Sequence, residues 1–307
     1  MIAKEKLNIL WSLEQTAEKY ADRVAVSDVN QELTWKELVK KAQVIGAELS
    51  EKVQPGNPVP VLLEKSSETL AVMLGIVYAG CFYVPVNPMN PTERLRKIME
   101  KLDPEVIISD EKGKEQLAAV GNGLENKVMG PEALTTATGT ELSEEQYSRL
   151  EQIQGQWKET DVLYGIFTSG STGTPKAIVV SHGAASRFIR HFTEIFEITS
   201  ADVIGNQAPF DFDVSVKDIY SSIMTGAQLV LIPKEYFSTP PRLLDYLCDK
   251  KVTNLTWAVS ALTLVSALKG LNYRVPESVK TGYVQRRSNA AKTAAYLAGK
   301  TCLKQSL

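Results

Sequence analysis

Histidine is almost missing from this chain of 307 residues, with only His182 and His191 present. Cysteine is nearly as scarce: Cys81, Cys248 and Cys302 lie far apart, and no spacing matches a zinc or iron–sulfur ligand set. A disulfide-stapled scaffold is excluded as well, and a reducing, cytoplasmic compartment is expected. Charge of one sign is also lacking. Lysine and arginine number 34 against 36 acidic residues, a net charge of -2, so the basic footprint of a nucleic-acid binder is absent. No internal repeat is visible. The first twenty residues carry Lys4, Glu5, Lys6, Glu14, Glu18 and Lys19, which does not read as a secretory leader.

Long apolar runs are limited to residues 69–86, which carry no charge. Gly75, Gly80 and Pro85 divide that run. It reads as a buried helix to Ala79, a stop at Gly80 and a strand over 82–86, with no membrane partner.

What remains is a globular composition, 44% hydrophobic and 23% charged, with enough apolar residues for a sizeable core. Residues 8–19 read as a helix with Ile9, Leu10, Leu13, Thr16 and Ala17 on one side. Strands follow at 24–27 and 32–34. Thr34 and Glu37 then form a capping-box pattern ahead of Leu38, Ala42, Ile45 and Leu49. A strand at 59–63 and a helix at 68–79 continue the alternation, which predicts an α/β layer fold. Residues 121–158 are polar and read as surface loops around a short helix inside one large domain. A helix is expected over 183–196 with Phe188, Phe192 and Ile195 on a common face. Further strands are expected at 227–232 and 254–259, with helices at 241–249 and from Ser260.

The chemistry concentrates in one stretch, Thr168-Ser169-Gly170-Ser171-Thr172-Gly173-Thr174-Pro175-Lys176. Apolar runs at 162–167 and 177–182 flank it and read as strands. Glycines let a turn present its N–H groups to an anion, hydroxyls add donors, and lysine adds a point charge suited to phosphate. The spacing is not that of the common P-loop, because Lys176 follows Pro175 and a strand follows instead of a helix. A plain hairpin turn would not need five hydroxyls and a Pro-Lys exit.

This stretch resembles the signature loop of the adenylate-forming superfamily, which includes acyl-CoA synthetases, luciferases and amino-acid adenylation domains. Residues 33–38 and 79–88 resemble two further motifs of that family, both structural. The resemblance implies an incomplete large N-terminal domain of the family's layered α/β fold, with the small C-terminal domain absent. It also implies that the loop holds the β- and γ-phosphates of ATP while a carboxylate attacks the α-phosphate. Thr168, Ser169, Gly170, Ser171, Thr172, Gly173, Thr174 and Lys176 are the implied phosphate contacts.

A second constellation, Ala208-Pro209-Phe210-Asp211-Phe212-Asp213-Val214-Ser215, stands ahead of an apolar helix. Its two carboxylates admit three readings: helix caps, metal ligands or a cation-binding pair. Capping needs one Asp, and no His, Cys or third acid stands nearby for a metal. Phe212-Asp213-Val214-Ser215 resembles the motif of amino-acid adenylation domains whose aspartate pairs with the substrate ammonium. Such a contact is worth roughly 2–3 kcal/mol when desolvated. Asp211 is left to cap the helix. The resemblance places Trp257 and Ser260 near the substrate side chain.

The implied activity is ATP-dependent activation of an amino acid as its adenylate, for transfer to the phosphopantetheine thiol of a carrier protein. ATP and Mg2+ are implied with it, the ion's ligand lying outside this sequence, as does the family's catalytic lysine; little turnover is therefore expected. An acyl- or aryl-acid CoA ligase and a non-catalytic nucleotide-binding remnant remain as alternatives. The resemblance runs to Lys280, giving a partial domain over 1–280 and an aberrant tail over 281–307. Read one base later, suitable codons for 282–291 spell the family's next strand, which suggests a single-base insertion near the Thr281 codon. An ordinary helix from Ser288 to Leu303 is the competing reading.

Overall fold

The computed structural model describes residues 7–136, 141–168 and 175–285. In chain order the elements begin α1 (Ile9–Tyr20), β1 (Val24–Ser27), β2 (Glu32–Thr34), α2 (Trp35–Ser50), β3 (Pro58–Leu62), α3 (Ser67–Tyr78) and β4 (Phe82–Pro85). They continue with α4 (Thr92–Leu102), β5 (Ile107–Ser109), α5 (Glu111–Val120), β6 (Val128–Met129), α6 (Pro131–Thr136), α7 (Glu144–Gly155), β7 (Val162–Thr168), β8 (Lys176–Ser181) and α8 (His182–Ile195). The last are β9 (Val203–Asn206), α9 (Val214–Thr225), β10 (Gln228–Leu231), α10 (Pro240–Asp249), β11 (Asn254–Ala258), α11 (Val259–Ala267) and β12 (Thr281–Gln285).

The chain divides into two compact units, each with its own sheet. One contains residues 1–15 and 36–188, the other residues 16–35 and 189–307. The first unit's sheet runs β6-β5-β3-β4-β7-β8, parallel throughout except for the antiparallel pair β7–β8. Leu62, Val84, Ile98 and Ile107 fill its core. The second sheet runs β12-β11-β9-β10-β1-β2, again parallel except for one edge pair, β1–β2. Val230, Leu243, Leu247 and Val252 are among its fully enclosed core residues. Parallel strands with helical crossovers are the α/β architecture that the alternating sequence pattern predicts.

The uncharged run is a buried helix and strand, as expected. Ser66 caps α3 by accepting the Thr69 N–H at 3.1 Å. Nearly every side chain of α3 is buried, which explains a helix apolar all round. Gly80 follows at φ +76, a conformation that glycine adopts without Cβ strain, and β4 begins two residues later. Among the described residues no helix is long and apolar enough to cross a membrane.

Two expectations are corrected. Residues 121–158 are not loops around a short helix: they hold β6, α6 and the twelve-residue α7. Ser143 and Gln146 form a reciprocal capping box there, and Leu150 anchors the helix. On α8 the buried stripe is Ala185, Ile189 and Phe192, continued by Phe196 just past the helix end, while Phe188 and Ile195 are exposed. Both sets are spaced i, i+4, i+7 and so each forms one stripe; the stripe turned inward is offset from the expected trio and shares only Phe192 with it.

Candidate functional site

One candidate is the β7–β8 hairpin of the first unit. Its register pairs Ile166 with Ile178, Phe167 with Ala177 and Thr168 with Lys176, so the ladder closes on the two residues that bracket the loop. The Thr168 hydroxyl donates to the Lys176 carbonyl at 3.5 Å. Pro175 is buried at the exit, whereas Lys176 is exposed and Thr168 likewise. The hairpin thus ties the loop's ends together and leaves the ammonium accessible. Ser169, Gly170, Ser171, Thr172, Gly173 and Thr174 lie outside the described residues.

The hairpin's base is held by His182, which the sequence pattern marks only as the end of a strand. Its backbone N–H donates to the Asp161 carbonyl at 3.0 Å, and the next residue, Gly183, donates to the Glu159 carbonyl at 2.7 Å. Its imidazole Nδ1 accepts the Ile9 N–H at 3.3 Å. Burial lowers its pKa to about 4, with the Asp161 charge opposing the shift. At neutral pH His182 is therefore an uncharged acceptor and a structural group.

A second candidate, considered by itself in the other unit, is the turn that opens α9. Ser215 is buried, and its hydroxyl donates to the Phe212 carbonyl at 2.7 Å, locking the turn. Phe212 and Asp213 are exposed. Asp213 occupies the N-cap position, yet its side chain makes no capping hydrogen bond. Asp211 stands two residues ahead of that position.

Trp257 and Ser260 part company. Trp257 is buried among apolar side chains, its ring 5.0 Å from that of Phe237. Its indole N–H donates to the Gly205 carbonyl at 3.2 Å, so its polar atom is satisfied within the fold. Ser260 is exposed on the first turn of α11. Among the described residues, no group of three or more His, Cys, Asp or Glu side chains could hold a metal ion.

Known proteins are similar to this chain in sequence and in fold. The AMP-binding enzyme family matches residues 13–297. Tyrocidine synthase 1 of Brevibacillus parabrevis is 30% identical over 81% of this chain, which spans 22% of that protein. The D-alanine--D-alanyl carrier protein ligase of Staphylococcus epidermidis is 29% identical over 93% of this chain, which spans 55% of it. The chain thus spans less than two thirds of the length of either relative. The N-terminal subdomain of Klebsiella oxytoca NpsA superposes with a TM-score of 0.79 at 20% identity, covering 97% of this chain and 74% of that one. The described fold is that of the N-terminal part of adenylate-forming enzymes, with β12 adding Thr281–Gln285 to the second sheet.

Proposed function

The chain belongs to the AMP-binding enzyme family, and we propose that it takes part in ATP-dependent activation of an amino acid. In this reading Lys176, Thr168 and residues 169–174 hold the β- and γ-phosphates, and Asp213 receives the substrate's α-ammonium. The substrate carboxylate oxygen then bonds to the α-phosphorus, the bond to the bridging oxygen breaks, and pyrophosphate leaves with its electron pair. The aminoacyl-adenylate passes its acyl group to a carrier protein's phosphopantetheine thiol, releasing AMP. Residues of this kind work by positioning and by neutralising developing charge. Mg2+ bound with ATP would offset phosphate charge; the described residues offer no ligand cluster for it, and no step is assigned to the ion. A reducing, cytoplasmic setting is part of the same proposal.

The observation that carries the amino-acid assignment is Asp213, an exposed carboxylate at a helix N-cap that does not cap its helix. The kinship with a carrier-protein ligase supports the choice of acceptor. Activators of plain carboxylic acids have no amine for such a group to meet.

Binding tests this without requiring turnover. Saturation-transfer NMR on the chain with ATP should detect D- or L-alanine, or another α-amino acid, in preference to its des-amino acid. Asp213→Asn should abolish the preference without lowering the melting temperature. Equal binding of propionate and alanine, unaffected by Asp213→Asn, would instead favour an acyl- or aryl-acid ligase. ATP binding with no carboxylate ligand at all would favour a non-catalytic nucleotide-binding form.

A further inference from the structure

The first unit's sheet ends on β6 at one edge and on β8 at the other. Edge strands are commonly blunted by shortness or by charge, since an open edge is a template for another strand. β6 is blunted by length, at two residues. β2, an edge of the second sheet, has three and carries Glu32, which pairs with Lys250 at 2.7 Å. β8 has neither protection. It runs for six residues, Lys176-Ala177-Ile178-Val179-Val180-Ser181, with its one charge at the start, and Ile178 and Val179 are each 54% exposed.

Both ends of β8 fix the way its backbone faces. The His182 N–H donates to the Asp161 carbonyl at 3.0 Å, and the Lys176 carbonyl accepts the Thr168 hydroxyl at 3.5 Å. Even-numbered residues therefore turn their backbone groups toward β7. The register shift in this pair is an extra residue in β7, between Val162 and Tyr164, so β8 alternates without interruption. Ala177, Val179 and Ser181 thus turn their N–H and C=O groups away from β7, on the side where the sheet ends.

We infer that β8 pairs edge to edge with β8 of a second copy of this chain, antiparallel about a two-fold axis at Val179. The outward residues are self-complementary in that arrangement: Val179 meets Val179, and each Ala177 meets the other copy's Ser181. Every such pair exchanges two backbone hydrogen bonds, about six in all. Ile178 falls opposite Val180, so the exposed apolar side chains of one copy cover those of the other. Charge permits the pairing as well. Lys176 falls opposite His182, which is uncharged at neutral pH, and the two Lys176 residues stand roughly 20 Å apart along the strands. A parallel pairing in register would instead set Lys176 beside Lys176. The antiparallel contact is isologous and closes at two copies.

The contact is small, so the association is weak and depends on concentration. Sedimentation equilibrium of the full chain between roughly 5 and 500 µM should show the mass rising from that of one chain toward that of two. Ile178→Lys should hold it at one chain, with unchanged circular dichroism. Val179→Cys should cross-link across the axis on mild oxidation, relative to the parent, because directly opposed residues lie about 5.5 Å apart at Cα, within disulfide reach. Ala177→Cys, which faces Ser181, should not, and this pair of variants decides the matter should Ile178→Lys fail to fold. A chain monomeric throughout, association that survives Ile178→Lys, or equal cross-linking at both positions overturns the inference.

Discussion

His182, the first residue of α8, accepts the backbone N–H of Ile9, the first residue of α1, through Nδ1 at 3.3 Å. The two residues are 173 positions apart, so one imidazole holds the start of α1 against the base of the β7–β8 hairpin. It can do so only while Nδ1 is unprotonated. Burial lowers the folded pKa to about 4, below the ordinary value of 6.5. The unfolded chain therefore takes up a proton first as pH falls. The contribution is complete above about pH 6.5 and is lost as pH drops through about 4, amounting to at most about 3 kcal/mol. Thermal melting between pH 7 and 4.5 should show a falling midpoint for the parent. His182→Gln should melt lower at pH 7 and fall less steeply.

Helices α2 and α3 approach closely enough to require glycine at their crossing. A Cβ on Gly46 would stand 2.5 Å from the Tyr78 Cβ and 2.9 Å from the Gly75 carbonyl oxygen, and one on Gly75 would meet the Ile45 side chain and stand 3.0 Å from the Ala42 carbonyl. Alanine would gain up to about 1 kcal/mol of helix propensity but overpack by about 1–3 kcal/mol. Gly46→Ala and Gly75→Ala should each lower the urea midpoint. A variant at an open glycine such as Gly155 should not, since nothing lies within 4 Å of its added Cβ.

In the second unit, buried Asp202 depends on Thr253. Its carboxylate accepts the Thr253 hydroxyl at 2.9 Å and the Thr199 N–H and hydroxyl at 2.9 and 3.0 Å. The same Thr253 oxygen accepts the Val203 N–H at 2.9 Å, pinning the start of β9. Thr253→Val keeps the shape but takes away the hydroxyl that serves Asp202 Oδ1 and the Val203 N–H, so a loss of about 2 kcal/mol is expected. Thr253→Ser should retain most of the stability, as chemical denaturation can check.

Much of this was legible in the residues. The hairpin strands followed from short apolar runs on either side of a loop too rich in hydroxyls for a plain turn, and α3 followed from an uncharged run ended by Gly80. Local signals sufficed there because propensity and burial agree. The region at 121–158 was misread because α7 buries little beyond Leu150, so its apolar period is faint. Its start signal was nonetheless present in Ser143 and Gln146. On α8 two exposed apolar residues, Phe188 and Ile195, competed with the true stripe. The role of His182 had no sequence signal, since its partner is a backbone N–H at the far end of the chain. Asp213 stands out in the sequence by its motif, whereas the lack of a capping hydrogen bond from its side chain is visible only in the structure.

If the β7–β8 hairpin grips a polyphosphate with Lys176, calorimetric titration of ATP into the chain and into Lys176→Ala will separate the two proteins. The parent should show measurable ATP affinity and the variant at least a tenfold loss, with AMP affected far less because it lacks the β- and γ-phosphates. Equal ATP affinity in the two proteins, or no ATP binding by a folded parent, would contradict that role of Lys176.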